Sequence, residues 1–355
     1  MSNPILIEVT RGPLVESFHR GAVAITRPIK AIQCLPLIET GAADRYGFAN
    51  PEIALACASH TGTDRHTRLA ADMLARVGLA ERDLGCGAHP PLGASAAKAL
   101  WLSGRDATQL HNNCSGKHAG MLATAVHLGE PTEGYFEPDH PVQRRVLETL
   151  SQLCDCRLGP EVMGRDGCSV PNWAMPLSTM ATLFARLVTG EGLPPARRAA
   201  IERILAACWA EPDLVAGPGR ADTVVMRNLP GEVFMKTGAE GVYCGGFPEL
   251  GIGFALKVDD GAAKRPLQVE AVRARGAVAL GEIGRNVHKA GQASLVHRLA
   301  VGERMIEQRV AEVRARAFGD VGWQAERGEP GDDALDRQAR HPRGRSIRFQ
   351  MRERR

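Results

Sequence analysis

The chain has 355 residues (38.1 kDa), 44% hydrophobic and 24% charged, which excludes general disorder and leaves material for a large core. No run of about 18 apolar residues appears, so no membrane span is expected. The net charge of +4 sits in the tail: residues 271–355 carry 18 Lys and Arg against 11 Asp and Glu, and the rest 26 against 29, so the body lacks the basic surplus of a nucleic-acid binder.

In chain order, ILIEV, LVESF and AVAIT read as strands, the first two joined by a TRGP turn. From Pro28 the pattern becomes helical. PIKAIQCLPLIETG places Ile29, Ile32, Leu35 and Ile38 near helical spacing, with Pro36 as a kink. Further helices are expected in PEIALACAS, HTRLAADMLARVGL, ASAAKALWLSG, SGKHAGMLATAVHLGE, HPVQRRVLETLSQL, STMATLFARLVTGEG and ARRAAIERILAACWA. DTVVMRN, EVFMKTG, GVYCGGF and IGFALKVDD then read as strands separated by Gly and Pro turns. Strands at both ends and helices between them predict an α+β fold, an antiparallel sheet from the N- and C-terminal segments with the helical region beside it. Beyond residue 268 the texture turns Arg-rich, and only AVGERMIEQRVAEVRARAF keeps a helical period. The expected division is 1–268 as the catalytic domain and 269–355 as a divergent tail, disordered or partly helical.

Nine cysteines, an odd number, fit a disulfide framework poorly. The N-terminus has no basic segment followed by a long apolar one, so a cleaved export signal is not expected and the cytoplasm is the default. Thiols then serve as ligands, nucleophiles or core filler. Cys34, Cys57 and Cys208 lie on apolar helix patterns and read as filler.

Five segments could carry chemistry. HNNCSGKHAG (111–120) places Cys114 and Lys117 three apart at a loop-to-helix junction, where backbone N–H groups favour anions. GRDGCSVPNWAMP (164–176) holds Asp166 and Cys168 in a polar turn; two such loop cysteines could share one Zn²⁺, although they form no compact CxxC pair. MKTGAEGVY (235–243) carries Lys236, and a Lys-Thr-Gly strand is a feature of serine acyltransferases, though weak alone. CASHTGTDRH (57–66) puts Ser59 at a helix end, where a serine ordinarily bonds locally unless a lysine activates it. TRPIK (26–30) places Lys30 in a first helical turn, with Thr26 as N-cap and Pro28 in that turn.

Taken together, TRGPLVESFHRGAVAI, IKAIQCLPLIETGAADRYGF, ALACASHTG, LHNNCSGKHAGML, PDHPVQ, DGCSVP and KTGAEGV resemble the asparaginase II family, the inducible rhizobial type of L-asparaginase, from about Ile5 to Lys264. The resemblance implies a fold similar to serine β-lactamases and glutaminases, a homodimer, and hydrolysis of L-asparagine to L-aspartate and ammonia. It implies zinc held by Cys114, Lys117 and Cys168, with Asp166 near the metal through water. It also implies two serine–lysine pairs, Ser59 with Lys236 forming the second and Lys30 supplying the lysine of the first.

The chain departs from that pattern at two places. AVAI joins almost directly to TRPIK, so a returning strand is missing, and the serine expected three residues before Lys30 is Arg27. Thr26 is the nearest hydroxyl and hence the alternative catalytic candidate. The resemblance also stops after about Leu267. Low activity is therefore expected, resting on Ser59 with Lys236. Two other readings compete: a non-catalytic paralogue that binds zinc or an amino acid, and a glutaminase or β-lactam-recognising serine enzyme.

Overall fold

The computed structural model describes residues 29–257 in full and the strands at 5–11, 14–20, 339–340 and 346–348 as backbone. The AVAIT strand and the AVGERMIEQRVAEVRARAF helix lie outside the described residues. So do Thr26 and Arg27.

Two strands open the chain, β1 (Ile5–Arg11) and β2 (Leu14–Arg20). The first helical segment is split into α1 (Lys30–Gln33) and α2 (Leu35–Glu39). The break falls at Cys34 because Pro36 has no N–H to continue α1 and is instead tolerated in the first turn of α2. Short helices α3 (Ala42–Arg45) and α4 (Asn50–Ala56) follow, then α5 (Asp64–Arg76), α6 (Ala94–Leu102), α7 (Ser115–Leu128) and α8 (Pro141–Cys154).

A short hairpin, β3 (Met163–Arg165) with β4 (Pro171–Trp173), encloses the DGC turn. Next come α9 (Leu177–Thr189), α10 (Pro195–Ala210), α11 (Pro212–Val215) and α12 (Ala221–Asn228). The strands β5 (Phe234–Thr237), β6 (Val242–Phe247) and β7 (Ile252–Lys257) close the fully described region, and β8 (Ala339–Arg340) and β9 (Ser346–Arg348) lie near the C-terminus.

One expected strand is a helix. DTVVMRN forms α12, because Asp222, Thr223 and Met226 are buried at helical spacing, and that buried face outweighs the strand preference of Val224 and Val225.

The chain divides into residues 1–22 with 257–355, and residues 23–256. In the first unit the strands run in the order β2-β1-β9-β8 with antiparallel pairings. N-terminal strands therefore do pair with C-terminal ones. The C-terminal partner of β1 is β9 (Ser346–Arg348), and the strands at 234–257 form a separate sheet in the order β5-β6-β7. Small antiparallel sheets and a helical core make the fold α+β.

The core of the second unit is helical and centres on α7. Its residues Ser115 through Ala125 are all buried, and it packs against α2, α3, α4, α5 and α8. A helix surrounded on every side has no solvent stripe, which explains its Ala- and Gly-rich sequence. Gly116 and Gly120 face α4. A Cβ on Gly116 would run into the side chain and carbonyl of Leu55, and one on Gly120 would lie 3.2 Å from the Cβ of Ala56. Two glycines four apart thus let α4 approach closely. The end of α4 leads within three residues to Ser59, so this approach also brings Ser59 to the start of α7.

Candidate active site

Ser59 is held by its neighbours on both sides. Its N–H donates to the carbonyl of Val215 (2.9 Å), and the next N–H, of His60, donates to the carbonyl of Asn113 (3.1 Å). His60 is fully buried. Its Nδ1 accepts from the Gly62 N–H (3.1 Å), so its Nε2–H points to Ser115 Oγ (2.9 Å). Burial, the charges of Lys30 and the neighbouring histidines keep His60 well below the ordinary histidine range. It is a neutral strut tying the Ser59 loop to α7.

The asparagine pair of HNNC is explained in the same way. Asn112 donates to the carbonyls of Cys86 (2.7 Å) and Gly87 (3.0 Å), and its Oδ1 accepts from the N–H of Cys114 (2.9 Å). These bonds fix Cys114 where α7 begins.

Lys30, buried at the start of α1, reaches into this junction. Its Nζ donates to Ser59 Oγ (2.5 Å) and to Cys114 Sγ (3.0 Å). The lysine bonded to Ser59 is therefore Lys30. Lys236 on β5 takes another partner: its Nζ donates to the carbonyl of Thr237 (2.9 Å) and lies 3.5 Å from Asp222 Oδ2 on α12. Asp222 also accepts from the N–H of Thr237 (2.8 Å) and from its hydroxyl.

On the other side of Cys114, the β3–β4 hairpin delivers Asp166 and Cys168. The turn is closed by the Asp166 N–H to Val170 (2.9 Å) and the Ser169 N–H to Asp166 (2.9 Å), with Ser169 at φ 75°. Lys117, one turn into α7, donates to Cys168 Sγ (3.1 Å), and Cys168 Sγ lies 3.7 Å from Asp166 Oδ2. Sulfur and carboxylate atoms of Cys114, Asp166 and Cys168 all fall within 4.8 Å of one another. All four candidate ligands named from the sequence thus meet at one place.

The L-asparaginase II family profile matches residues 27–303. The chain belongs to the L-asparaginase II family. No curated protein matches it. The match begins after the first two strands and extends to residue 303, beyond the expected limit of the resemblance near Leu267. At the level of the L-asparaginase II family, the chemistry is that of an amidohydrolase.

The electrostatics of the thiol cluster are polarised. The hydrogen bond with Cys114 and the Lys117 charge bring Cys168 down to about 5 against the effect of burial, while that same bond and burial push Cys114 up to about 12. Lys117 is raised despite its burial, because the two thiols and Asp166 favour its ammonium. The cluster thus favours a thiolate at Cys168 and an ammonium at Lys117. Two thiols, an amine and a carboxylate make a donor set suited to a divalent ion that accepts sulfur and nitrogen. His118, next along α7, bonds Tyr135 through its Nδ1 (2.5 Å), and burial lowers it to about 3. The residues fit a metal.

At the second lysine, burial lowers Lys236 to about 8, opposed by Asp222 and reinforced by the charge of Lys30. Burial alone would raise Asp222, but Lys236, Arg220 and the Thr237 hydrogen bonds hold it below the usual carboxylate range. Asp222 lies in a segment whose sequence reads as a strand, and only its place on α12 brings it to Lys236. Its signal was an acid inside an apolar run that follows a Pro-Gly turn. No helix among the described residues is long and apolar enough to cross a membrane.

Proposed function

We propose that this chain hydrolyses the side-chain amide of L-asparagine to L-aspartate and ammonia, with Ser59 as nucleophile and Lys30 as its base. The observation that carries the reading is the 2.5 Å hydrogen bond between Lys30 Nζ and Ser59 Oγ. A serine hydroxyl is a weak nucleophile until a base within hydrogen-bond reach takes its proton. In its uncharged form the Lys30 amine takes that proton as Oγ attacks the amide carbon. It returns the proton to the departing nitrogen, which leaves as ammonia. Water, deprotonated by the same amine, then cleaves the Ser59 ester to give aspartate and the free hydroxyl.

Arg27 stands where the resembled family carries its first serine, so Ser59 takes over the lysine left without a partner. Lys236, held by Asp222 and sensing the charge of Lys30, is proposed as a positioning residue for the substrate side of the site. Cys114, Lys117 and Cys168, with Asp166, would hold Zn²⁺, whose bound charge would orient and polarise the substrate. A homodimer belongs to the same proposal, on family resemblance alone.

A non-catalytic zinc-binding relative is the second reading, favoured by Arg27 at the first-serine position beside a complete thiol cluster. It requires zinc without ammonia release. Assaying ammonia from asparagine and glutamine, and ring opening of a β-lactam, on one preparation separates the readings. Turnover of asparagine alone supports the proposal; preference for either other substrate moves the chain to the glutaminase or β-lactam reading.

A further inference from the structure

Away from the amidase site, the sequence SQLCDCRLG ends α8 with two cysteines separated by one residue. We propose that Cys154 and Cys156 form an oxidisable dithiol, which a low-molecular-weight disulfide converts to an intramolecular disulfide.

The two Sγ atoms lie 2.8 Å apart. Their approach follows from the backbone. Asp155 is the C-cap of α8 and adopts the left-handed conformation (φ 51°, ψ 42°), which folds the chain back so that side chains two apart converge. Arg186 on α9 braces the turn, donating to the carbonyl of Leu153 (3.1 Å) and lying 3.8 Å from Asp155 Oδ2. The pairing is therefore built into a supported helix end.

The pair is also asymmetric and reachable. Cys156 is the one cysteine of the nine that is not buried. It opens onto a shallow depression of about 390 Å³ whose lining includes Ser151, Gln152, Asp155 and Arg157. Both signs of charge are present there, which suits a zwitterionic thiol compound. Cys154 is buried behind it, and burial and Cys156 push its thiol up to about 12.

The chemistry runs in two exchanges. The Cys156 thiolate attacks one sulfur of the small disulfide, forming a mixed disulfide and expelling one thiolate. Cys154 loses its proton and attacks Cys156 Sγ, expelling the second. Two protein thiols are oxidised, one small disulfide is reduced, and two small thiols are released. The protein bond is returned to two thiols by an excess of reductant.

The test uses the full chain incubated with oxidised glutathione, acid-quenched, digested with trypsin and weighed by mass spectrometry. Cleavage after Arg145 and Arg157 releases residues 146–157, in which these are the only cysteines. The parent peptide is expected to lose two hydrogens with no adduct and to regain them with dithiothreitol. Cys154→Ser should retain one glutathione on Cys156, and Cys156→Ser should remain unmodified. A parent peptide that stays reduced, or that holds a lasting glutathione adduct without losing two hydrogens, would overturn the proposal. The mass readout is independent of asparagine turnover, so it stands or falls apart from the amidase assignment.

Discussion

Lys30 and Ser59, 29 positions apart, meet through a 2.5 Å hydrogen bond at the point where α7 begins. Lys30 also touches Cys114, so the serine–lysine pair and the thiol cluster share one residue. Removing the amine should therefore affect the reaction more than the fold. Lys30→Met is expected to lower asparagine turnover by about 10²–10⁴-fold, the usual contribution of a positioned general base. Steady-state ammonia release beside circular dichroism checks both halves of that expectation.

The thiol cluster should bind about one zinc per chain, because its donors match a four-coordinate soft-to-borderline site. Binding must displace protons from Cys114 and from the Lys117 ammonium, so zinc affinity should fall as pH falls. Proton release on adding zinc to the metal-free protein in weak buffer, with elemental analysis, reads this directly. The Cys114→Ala/Cys168→Ala double variant should hold no zinc; an unchanged content would assign the metal elsewhere.

Much of this cluster was legible because its residues sit in short polar motifs that sequence reading weighs together. The partner of Ser59 was less so. Lys30 and Lys236 are equally plain in the sequence, and which of them meets Ser59 is decided by long-range packing: Lys30 on α1 reaches Ser59, while Lys236 on β5 is held by Thr237 and Asp222. Asp222 was hidden because its two following valines favour a strand, while the buried helical face that overrides them exists only in the assembled core. The β3–β4 hairpin likewise reads as a turn alone. Its strands are only three residues each, too short for an alternating pattern to show.

Gly116 should tolerate no side chain. Its Cβ would meet the Leu55 carbonyl, a backbone atom that cannot step aside, so Gly116→Ala should cost about 1–3 kcal/mol or more. Gly120→Ala, facing the methyl of Ala56 at 3.2 Å, should cost less. Urea unfolding of the two variants against the parent checks the order, and the reverse order would contradict the α4–α7 account.

The buried Lys236–Asp222 pair gives a signed pH dependence. Lys236 is lowered from 10.5 to about 8, so between these values the unfolded chain binds the proton that the folded chain has lost. Stability should therefore rise with pH across that window, by an amount on the order of a few kcal/mol. The Lys236→Met/Asp222→Asn variant should lack this component. Melting temperatures of the two proteins at pH values spanning the window supply the comparison, and parallel profiles would contradict it.

Ammonia release from L-asparagine by the parent, Ser59→Ala and Thr26→Ala proteins tests the assignment of the nucleophile most directly. Ser59→Ala is expected to abolish the parental activity, and Thr26→Ala to leave it largely intact. Activity that survives Ser59→Ala and disappears in Thr26→Ala would contradict the account and make Thr26 the nucleophile.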